Sequence, residues 1–134
     1  MSKKSGSVSV PKFCECKAFP NVFHLISHVS CELPDDMHPF QFAKACMPGG
    51  SITGAPKFEA MKLITELELH QRGPYCGHFF YLSQHGRFDS NILIRTVVAH
   101  EYELLLQAGG GIVIDSKIDE EYAECFAKIK NLIA

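Results

Sequence analysis

A run of three glycines, Gly109-Gly110-Gly111, lies a few residues before a helix predicted to carry Glu121, Glu124 and Lys128. Spacings of three and four residues place these three side chains on one helix face. Backbone amides that glycine leaves open can donate to an anion, and paired carboxylates supply the oxygen ligands that Mg²⁺ prefers. The pattern predicts a site for an anion held through a metal ion.

Simpler interpretations of the same residues remain open at this point. Acidic residues are favoured in the first turns of a helix by its dipole. Lys128 could pair with Glu124 as an ordinary ion pair four residues apart. The glycine run could be a bulge or turn between strands. The sequence alone does not decide between these structural roles and a binding site.

Two further polar residues lie inside apolar segments. Arg95 lies within Ile92–Val98, and a guanidinium there must find a partner or reach solvent. It fits a carboxylate ligand, or Asp89, which we expect on the same face of one strand. His24 is either a core histidine with a satisfied ring or a group that transfers protons. Tyr75 could offer its hydroxyl to a ligand or simply pack.

The composition indicates one ordinary globular domain of residues 6–134 after a disordered start at residues 1–5. The chain has 134 residues, 46% hydrophobic and 21% charged, with a net charge of −2. This charge gives no reason to expect a nucleic-acid partner, and no apolar run reaches membrane-spanning length. Without an export signal, the six cysteines are expected to be reduced, in a cytoplasmic protein.

Hydrophobic periodicity and turn residues predict an α+β fold, with an antiparallel β-meander packed against helices. We expect an aspartate cap on the first helix, a capping box formed by Ser116 and Asp119 on the last helix, and an apolar inner face there that includes Tyr122 and Phe126. The predicted strands are residues 22–29, 75–83, 88–99, 102–108 and 112–114, with helices at about 37–46, 57–69 and 116–133, a loop at 48–56 and a hairpin turn at 84–87.

The loop Pro48–Lys57, which reads PGGSITGAPK, resembles the signature of chorismate-utilising enzymes. Five further segments resemble motifs of that family in the same order, over residues 6–134. They are the histidine strand that begins at Phe19, the RGxYxG segment at Arg72–Gly77, the DxxIxIRT strand at Asp89–Thr96, the AGGGIVxDS segment at Ala108–Ser116, and ExxExxxK at Glu121–Lys128.

The resemblance implies a role for each candidate residue around chorismate and Mg²⁺. His24 would be the catalytic histidine near the departing C4 hydroxyl. Glu124 would bind Mg²⁺ directly, with Glu121 beside it or acting through water. The substrate-binding residues would be Ser51 on the ligand loop, Tyr75 and Arg95 at a carboxylate, the amides of Gly109, Gly110 and Gly111, and Lys128.

Within the family, Ser51-Ile52-Thr53 and the three glycines look more like the aminodeoxychorismate synthases than the anthranilate synthases. Such an enzyme replaces the C4 hydroxyl of chorismate by an amino group, with ammonia from a glutamine amidotransferase partner, on the way to para-aminobenzoate and folate. The alternatives are an anthranilate synthase fragment and a non-catalytic interaction module that kept the fold.

The resemblance covers only the C-terminal part of a typical family member. A second Mg²⁺-binding glutamate and, in the aminodeoxychorismate subgroup, a lysine nucleophile in a PIKGT-like motif would precede it. We therefore expect a C-terminal fragment that is inactive alone and could form a homodimer. Glu59 and Phe80 depart from the family pattern, although neither is an assigned site residue.

Overall fold

The computed structural model describes residues 7–19 and 23–133. By its internal contacts the chain divides into two compact units, Met1–Ala45 and Cys46–Ala134. The disordered start that we predicted at residues 1–5 lies outside the described residues, and so does residue 22, the predicted first residue of the histidine strand.

The first unit contains an antiparallel hairpin of β1 (Ser9–Ala18) and β2 (Phe23–Ser30). β1 was missed from the sequence, although apolar and polar residues alternate at its start. Its pairing with β2 is irregular around Cys14, which has a φ of 49° and whose amide donates to Ser27 Oγ at 3.0 Å. This irregularity shifts the register, and it breaks the regular alternation that identifies a strand in a sequence.

Helix α1 (Pro39–Cys46) begins two residues later than predicted, and the predicted aspartate cap is wrong. The amide of His38 donates to Gln41 Oε1 at 3.2 Å, and the amide of Phe40 donates to His38 Nδ1 at 3.2 Å. The His38 side chain thus accepts from an amide in the first turn, while the Gln41 side chain accepts from the amide that precedes the helix, an arrangement similar to a capping box.

The second unit begins with two helices. A single turn, α2 (Gly50–Thr53), lies inside the segment predicted as a loop, and Thr53 Oγ1 donates to Gly49 O at 3.2 Å. Helix α3 (Lys57–Leu67) ends two residues before the predicted end. Its apolar face is open to solvent within the described residues, since Phe58 and Leu67 are each 75% exposed.

Four strands follow as two separate hairpins. β3 (His78–Leu82) pairs with β4 (Phe88–Ile92), and β5 (Val97–His100) pairs with β6 (Glu103–Leu106). In the part of the chain that the structure describes, each sheet has two strands, so the meander is divided into hairpins. The turn predicted at residues 84–87 is confirmed, with Gly86 at a φ of 75° and the Ser83 amide donating to Arg87 O.

The single long strand predicted at residues 88–99 is wrong, because the chain bends between β4 and β5. Arg95 has a φ of 51°, a conformation that a continuous strand does not contain. Thr96 Oγ1 donates to Ile94 O at 3.0 Å across the bend. Asp89 and Arg95 therefore do not share a strand, and the argument that put them on one face no longer applies.

The last helix, α4 (Ile118–Ile129), continues into a 3₁₀ turn, Lys130–Leu132. The predicted capping box is wrong: Lys117 precedes the helix and no side chain caps it. The strand predicted at residues 112–114 is also wrong, since the chain turns there and the Ser116 amide donates to Val113 O at 3.0 Å. Of the predicted inner face, Tyr122 is 67% exposed and Phe126 is 52% exposed.

The predicted fold class, α+β, is confirmed by antiparallel strand pairs combined with helices. Over residues 7–19 and 23–133, no helix combines the length and the apolar character that crossing a bilayer requires.

A glycine at position 101 is expected to stabilise the β5–β6 hairpin. Glu101 is the first of two turn residues and has a φ of 50°, which costs an L-residue about 1–2 kcal/mol. Glycine removes that strain but adds about 0.5–1 kcal/mol of chain entropy. Urea unfolding should therefore show Glu101→Gly to be more stable by about 0.5–1 kcal/mol.

Glu103→Gly is the matched control, because it makes the same change inside strand β6. It should lower stability by about 0.5–1 kcal/mol. If both variants lost stability equally, the turn at Glu101 would carry no backbone strain.

Candidate functional site

The glycine run and helix α4 meet at Gly110. A Cβ built on Gly110 would lie 3.0 Å from Glu121 Oε2, 3.7 Å from Lys128 Nζ and 3.9 Å from Glu124 Oε2. The predicted common face of the two glutamates and the lysine is therefore observed, and it faces the glycine backbone. Gly110 does not have a positive φ, so glycine is needed here for close approach.

One carboxylate oxygen of this cluster has no partner. Glu121 Oε1 accepts a hydrogen bond from Ser116 Oγ at 2.5 Å, and Ser116 Oγ itself accepts one from the Val113 amide at 3.0 Å. Glu121 Oε2 is buried, and no hydrogen-bond donor reaches it among the described residues. A buried anionic oxygen without a donor is unfavourable, so this atom indicates where a cation would bind.

Lys128 ties the helix to the glycine run. Its Nζ donates to Gly109 O at 3.1 Å and pairs with Glu124 Oε1 at 2.5 Å. The lysine thus forms the ion pair that the sequence left open as an interpretation, and it also contacts the glycine backbone, which the sequence did not predict.

Tyr75 reaches the same glycines from the turn before β3, and not from within a strand as predicted. A Cβ built on Gly109 would lie 3.1 Å from the Tyr75 hydroxyl oxygen. The amide of Tyr75 donates to Arg72 O at 3.1 Å, which closes the turn. Burial raises the pKa of Tyr75 to about 12, and the neighbouring Cys76 adds to this effect. The hydroxyl is therefore a neutral donor at physiological pH.

Arg72 supports Tyr75 from the other side, a contact that sequence reasoning did not identify. Its guanidinium carbon lies 5.9 Å from the centre of the Tyr75 ring. It also donates through Nε to Glu68 Oε2 at 2.8 Å and through Nη2 to Glu68 Oε1 at 2.5 Å. These hydrogen bonds raise the pKa of Arg72 and lower the pKa of Glu68. The only signal in the sequence was the four-residue spacing of the two charges.

A small surface depression shares Tyr75 with the cluster. Tyr75, Thr96 and Gln107 are among its walls. Thr96 directly follows Arg95, which lies at the exposed bend between β4 and β5. Tyr75 thus contributes to both the depression and the glycine cluster.

The remaining candidates lie on other elements. Ser51 is exposed on the single turn α2. His24 is half-buried in β2 of the first unit, where its ring packs edge-on against Phe19 with centroids 5.4 Å apart. The structure therefore brings together Tyr75, Gly109, Gly110, Glu121, Glu124 and Lys128.

The donor set around Gly110 fits a small, hard cation. It offers two carboxylates, of which one oxygen is buried without a donor. Mg²⁺ takes one or two carboxylates and keeps waters, so two glutamates fall within the number of protein ligands that this ion accepts. Over residues 7–19 and 23–133 no group of three or more His, Cys, Asp or Glu side chains is placed to hold a metal.

Comparison with known proteins identifies one family. A family model described as chorismate binding enzyme matches residues 2–134. Aminodeoxychorismate synthase component 1 of Salmonella typhimurium is 47% identical over 128 residues, which are 96% of this chain and 28% of that protein. Anthranilate synthase component 1 of Acetivibrio thermocellus is 40% identical over 130 residues, which are 97% of this chain and 26% of that protein.

A solved structure is similar over nearly the whole chain. The crystal structure of anthranilate synthase component I from Streptococcus pneumoniae TIGR4 matches with a TM-score of 0.85 and 38% sequence identity. The match covers 98% of this chain and 30% of that one. The chain thus spans under a third of the length of the relatives that it matches.

Gly110→Ala is expected to displace the Glu121 carboxylate, because the added methyl group would lie 3.0 Å from Oε2. We expect about a tenfold loss of Mg²⁺ affinity, the lower end of what altered ligand support costs. The Mg²⁺ affinity is measured by competition with Mn²⁺, in which electron paramagnetic resonance reports the concentration of free Mn²⁺.

The control is Gly111→Ala, since nothing lies within 4 Å of a Cβ at Gly111. It should bind Mg²⁺ like the unmodified chain. Equal affinities for all three proteins would mean that the Gly110 contact does not shape the cation site.

Tyr75 is expected to ionise at a higher pH in the folded chain than in the unfolded chain. Its pKa of about 12 in the folded state exceeds the value of about 10 for an unfolded tyrosine. The unfolded chain therefore loses this proton first, and stability should fall as the pH rises from about 10 to about 12.

Absorbance of the phenolate, followed against pH, should show one late transition that Tyr75→Phe removes. Tyr122→Phe is the control, because Tyr122 is exposed. A late transition that persisted in Tyr75→Phe would assign the raised pKa to another tyrosine.

Proposed function

The chain belongs to the family of chorismate-binding enzymes, and from this premise we propose that it supplies part of the chorismate site of an aminodeoxychorismate synthase component 1. Identities of 41–47% with aminodeoxychorismate synthases, against 38–43% with anthranilate synthases, favour this subgroup. The three glycines and the PGGSITGAPK loop favour it too. The proposed reaction exchanges the C4 hydroxyl of chorismate for an amino group, in a cytoplasmic enzyme.

The observation that carries the proposal is the buried, unpaired Glu121 Oε2 beside Gly110 and Glu124. These two glutamates would hold Mg²⁺. When bound, Mg²⁺ would neutralise the ring carboxylate of chorismate and hold it against the glycine run. An unpaired carboxylate oxygen beside a glycine backbone suits a contact among the protein, the ion and the substrate carboxylate.

The other residues would bind and orient the substrate. The neutral Tyr75 hydroxyl would donate a hydrogen bond to a substrate carboxylate without contributing charge. Amides of the glycine run donate to the same class of group. Lys128 holds Gly109 O and Glu124 in place. Arg95 can pair with a carboxylate bidentately, and Ser51 offers a hydroxyl.

His24 keeps the role that the family resemblance implies, proton transfer at the departing C4 hydroxyl. Ammonia would come from glutamine through a separate amidotransferase subunit. Both proposed roles concern a whole enzyme. This chain spans 28% of the length of the Salmonella relative.

Anthranilate synthase is the second candidate, because a solved structure of that enzyme matches this chain with a TM-score of 0.85. Both functions need the same carboxylate and glycine site. They differ in the product: anthranilate has lost the enolpyruvyl side chain of chorismate, whereas 4-amino-4-deoxychorismate retains it. The mass of the product separates them.

Glu124→Gln and Glu121→Gln are each expected to weaken the binding of chorismate in the presence of Mg²⁺. Each change removes one anionic oxygen ligand but keeps the side-chain volume. We expect at least about a tenfold loss, measured by calorimetric titration of the purified chain with chorismate at fixed Mg²⁺.

Glu120→Gln is the matched control on the same helix. Glu120 pairs with Lys117 at 2.8 Å, and both side chains are at least 70% exposed. Its change should leave binding unaltered. If Glu120→Gln weakened binding as much as the other two variants, a general effect of helix charge would replace the proposed site; if no protein bound chorismate, the proposal would fail for this chain.

A further inference from the structure

The two carboxylates of the cluster are held in the same way. Ser116 Oγ donates to Glu121 Oε1, and Lys128 Nζ pairs with Glu124 Oε1, each at 2.5 Å. The other oxygen of each carboxylate, Oε2, lies within 4 Å of the Cβ position of Gly110. Each glutamate thus has one oxygen engaged by a donor and one directed at the glycine run.

We propose that Ser116 is a positioning residue that makes Glu121 a one-oxygen ligand and thereby favours Mg²⁺ over Ca²⁺ at this site. The inference rests on the proposed function, because it takes Glu121 and Glu124 as the cation ligands. It goes further by assigning a role in ion selectivity to Ser116, whose hydroxyl does not cap α4.

The coordination chemistry of the two ions gives the reason. Ca²⁺ takes six to eight oxygens at about 2.3–2.6 Å and commonly binds both oxygens of a carboxylate. Mg²⁺ takes six at about 2.0–2.1 Å, keeps several waters and uses one oxygen from each carboxylate. A carboxylate whose second oxygen is occupied by a hydroxyl donor fits the second pattern, since binding through both oxygens would break the hydrogen bond.

The position of Ser116 is itself fixed by the loop. Its Oγ accepts a hydrogen bond from the Val113 amide at 3.0 Å, and its amide donates to Val113 O at 3.0 Å. Because the Ser116 oxygen accepts from the Val113 amide, its hydroxyl proton is available to donate to Glu121 Oε1. Lys128 holds Glu124 in the same manner but also donates to Gly109 O, so a change at Lys128 would release the glycine backbone as well.

The test compares Mg²⁺ and Ca²⁺ as competitors for bound Mn²⁺, without chorismate. The unmodified chain should prefer Mg²⁺. In Ser116→Ala the Oε1 oxygen is released, and the preference for Mg²⁺ over Ca²⁺ should fall about tenfold. Ser116→Thr, which keeps the hydroxyl, should restore it. A purely structural role would lower both affinities together and leave their ratio unchanged.

Two outcomes would overturn the inference, and the first does not depend on the folding of Ser116→Ala. One is an unmodified chain that binds Ca²⁺ at least as tightly as Mg²⁺. The other is an unchanged ratio in Ser116→Ala whose helical circular dichroism matches the unmodified chain. Glu121→Gln separates this inference from the proposed function: if it leaves Mn²⁺ affinity intact, the cation site itself is wrong, whatever Ser116 does.

Discussion

Glu121 Oε2 is a buried anionic oxygen without a hydrogen-bond donor, and the arrangement of the described site follows from it. Removing a carboxylate from water is unfavourable unless donors or a cation replace the lost hydration. Ser116 satisfies the other oxygen. Gly110 permits the close approach because it has no Cβ, and Lys128 supplies a positive charge 3.7 Å from that Cβ position. A buried polar atom without a hydrogen-bond partner is a feature of binding sites, because the ligand or ion supplies the missing partner.

Tyr75 and the Arg72–Glu68 pair that supports it place a neutral hydroxyl beside the glycine run. The bidentate pair of Arg72 and Glu68 fixes the segment between α3 and the turn that presents Tyr75. Because Glu68 neutralises Arg72, the guanidinium packs over the ring without adding a free charge. The Tyr75 hydroxyl stays protonated and lies over Gly109. The glycine run is thus bordered by a neutral donor on one side and by carboxylates on the other.

The common face on α4 and the hairpin turn at residues 84–87 were predicted correctly, and the reason is geometric. Three- and four-residue spacing on α4 fixes which side chains share a face, whatever the rest of the chain does. Turns with glycine at a positive φ, such as Gly86, are encoded by the residue that adopts them. The bend at Arg95 was missed because arginine rarely adopts a positive φ and its apolar neighbours read as one strand. The apolar face of α4 was read as core, yet in the described residues Tyr122 remains largely exposed, as does Phe58 on α3.

The sequence by itself determined the fold class, the family resemblance and the chemistry that the glycine run and α4 could perform, because these depend on residue type and short spacing. The tertiary structure decided which oxygen of Glu121 is free and which is held. Ser116 was read as a helix cap, and only the path of the chain from Val113 to Ser116 turns its hydroxyl toward Glu121. The approach of Tyr75 to Gly109 likewise joins residues far apart in sequence. Such contacts depend on how the loops close, which spacing along the chain does not encode.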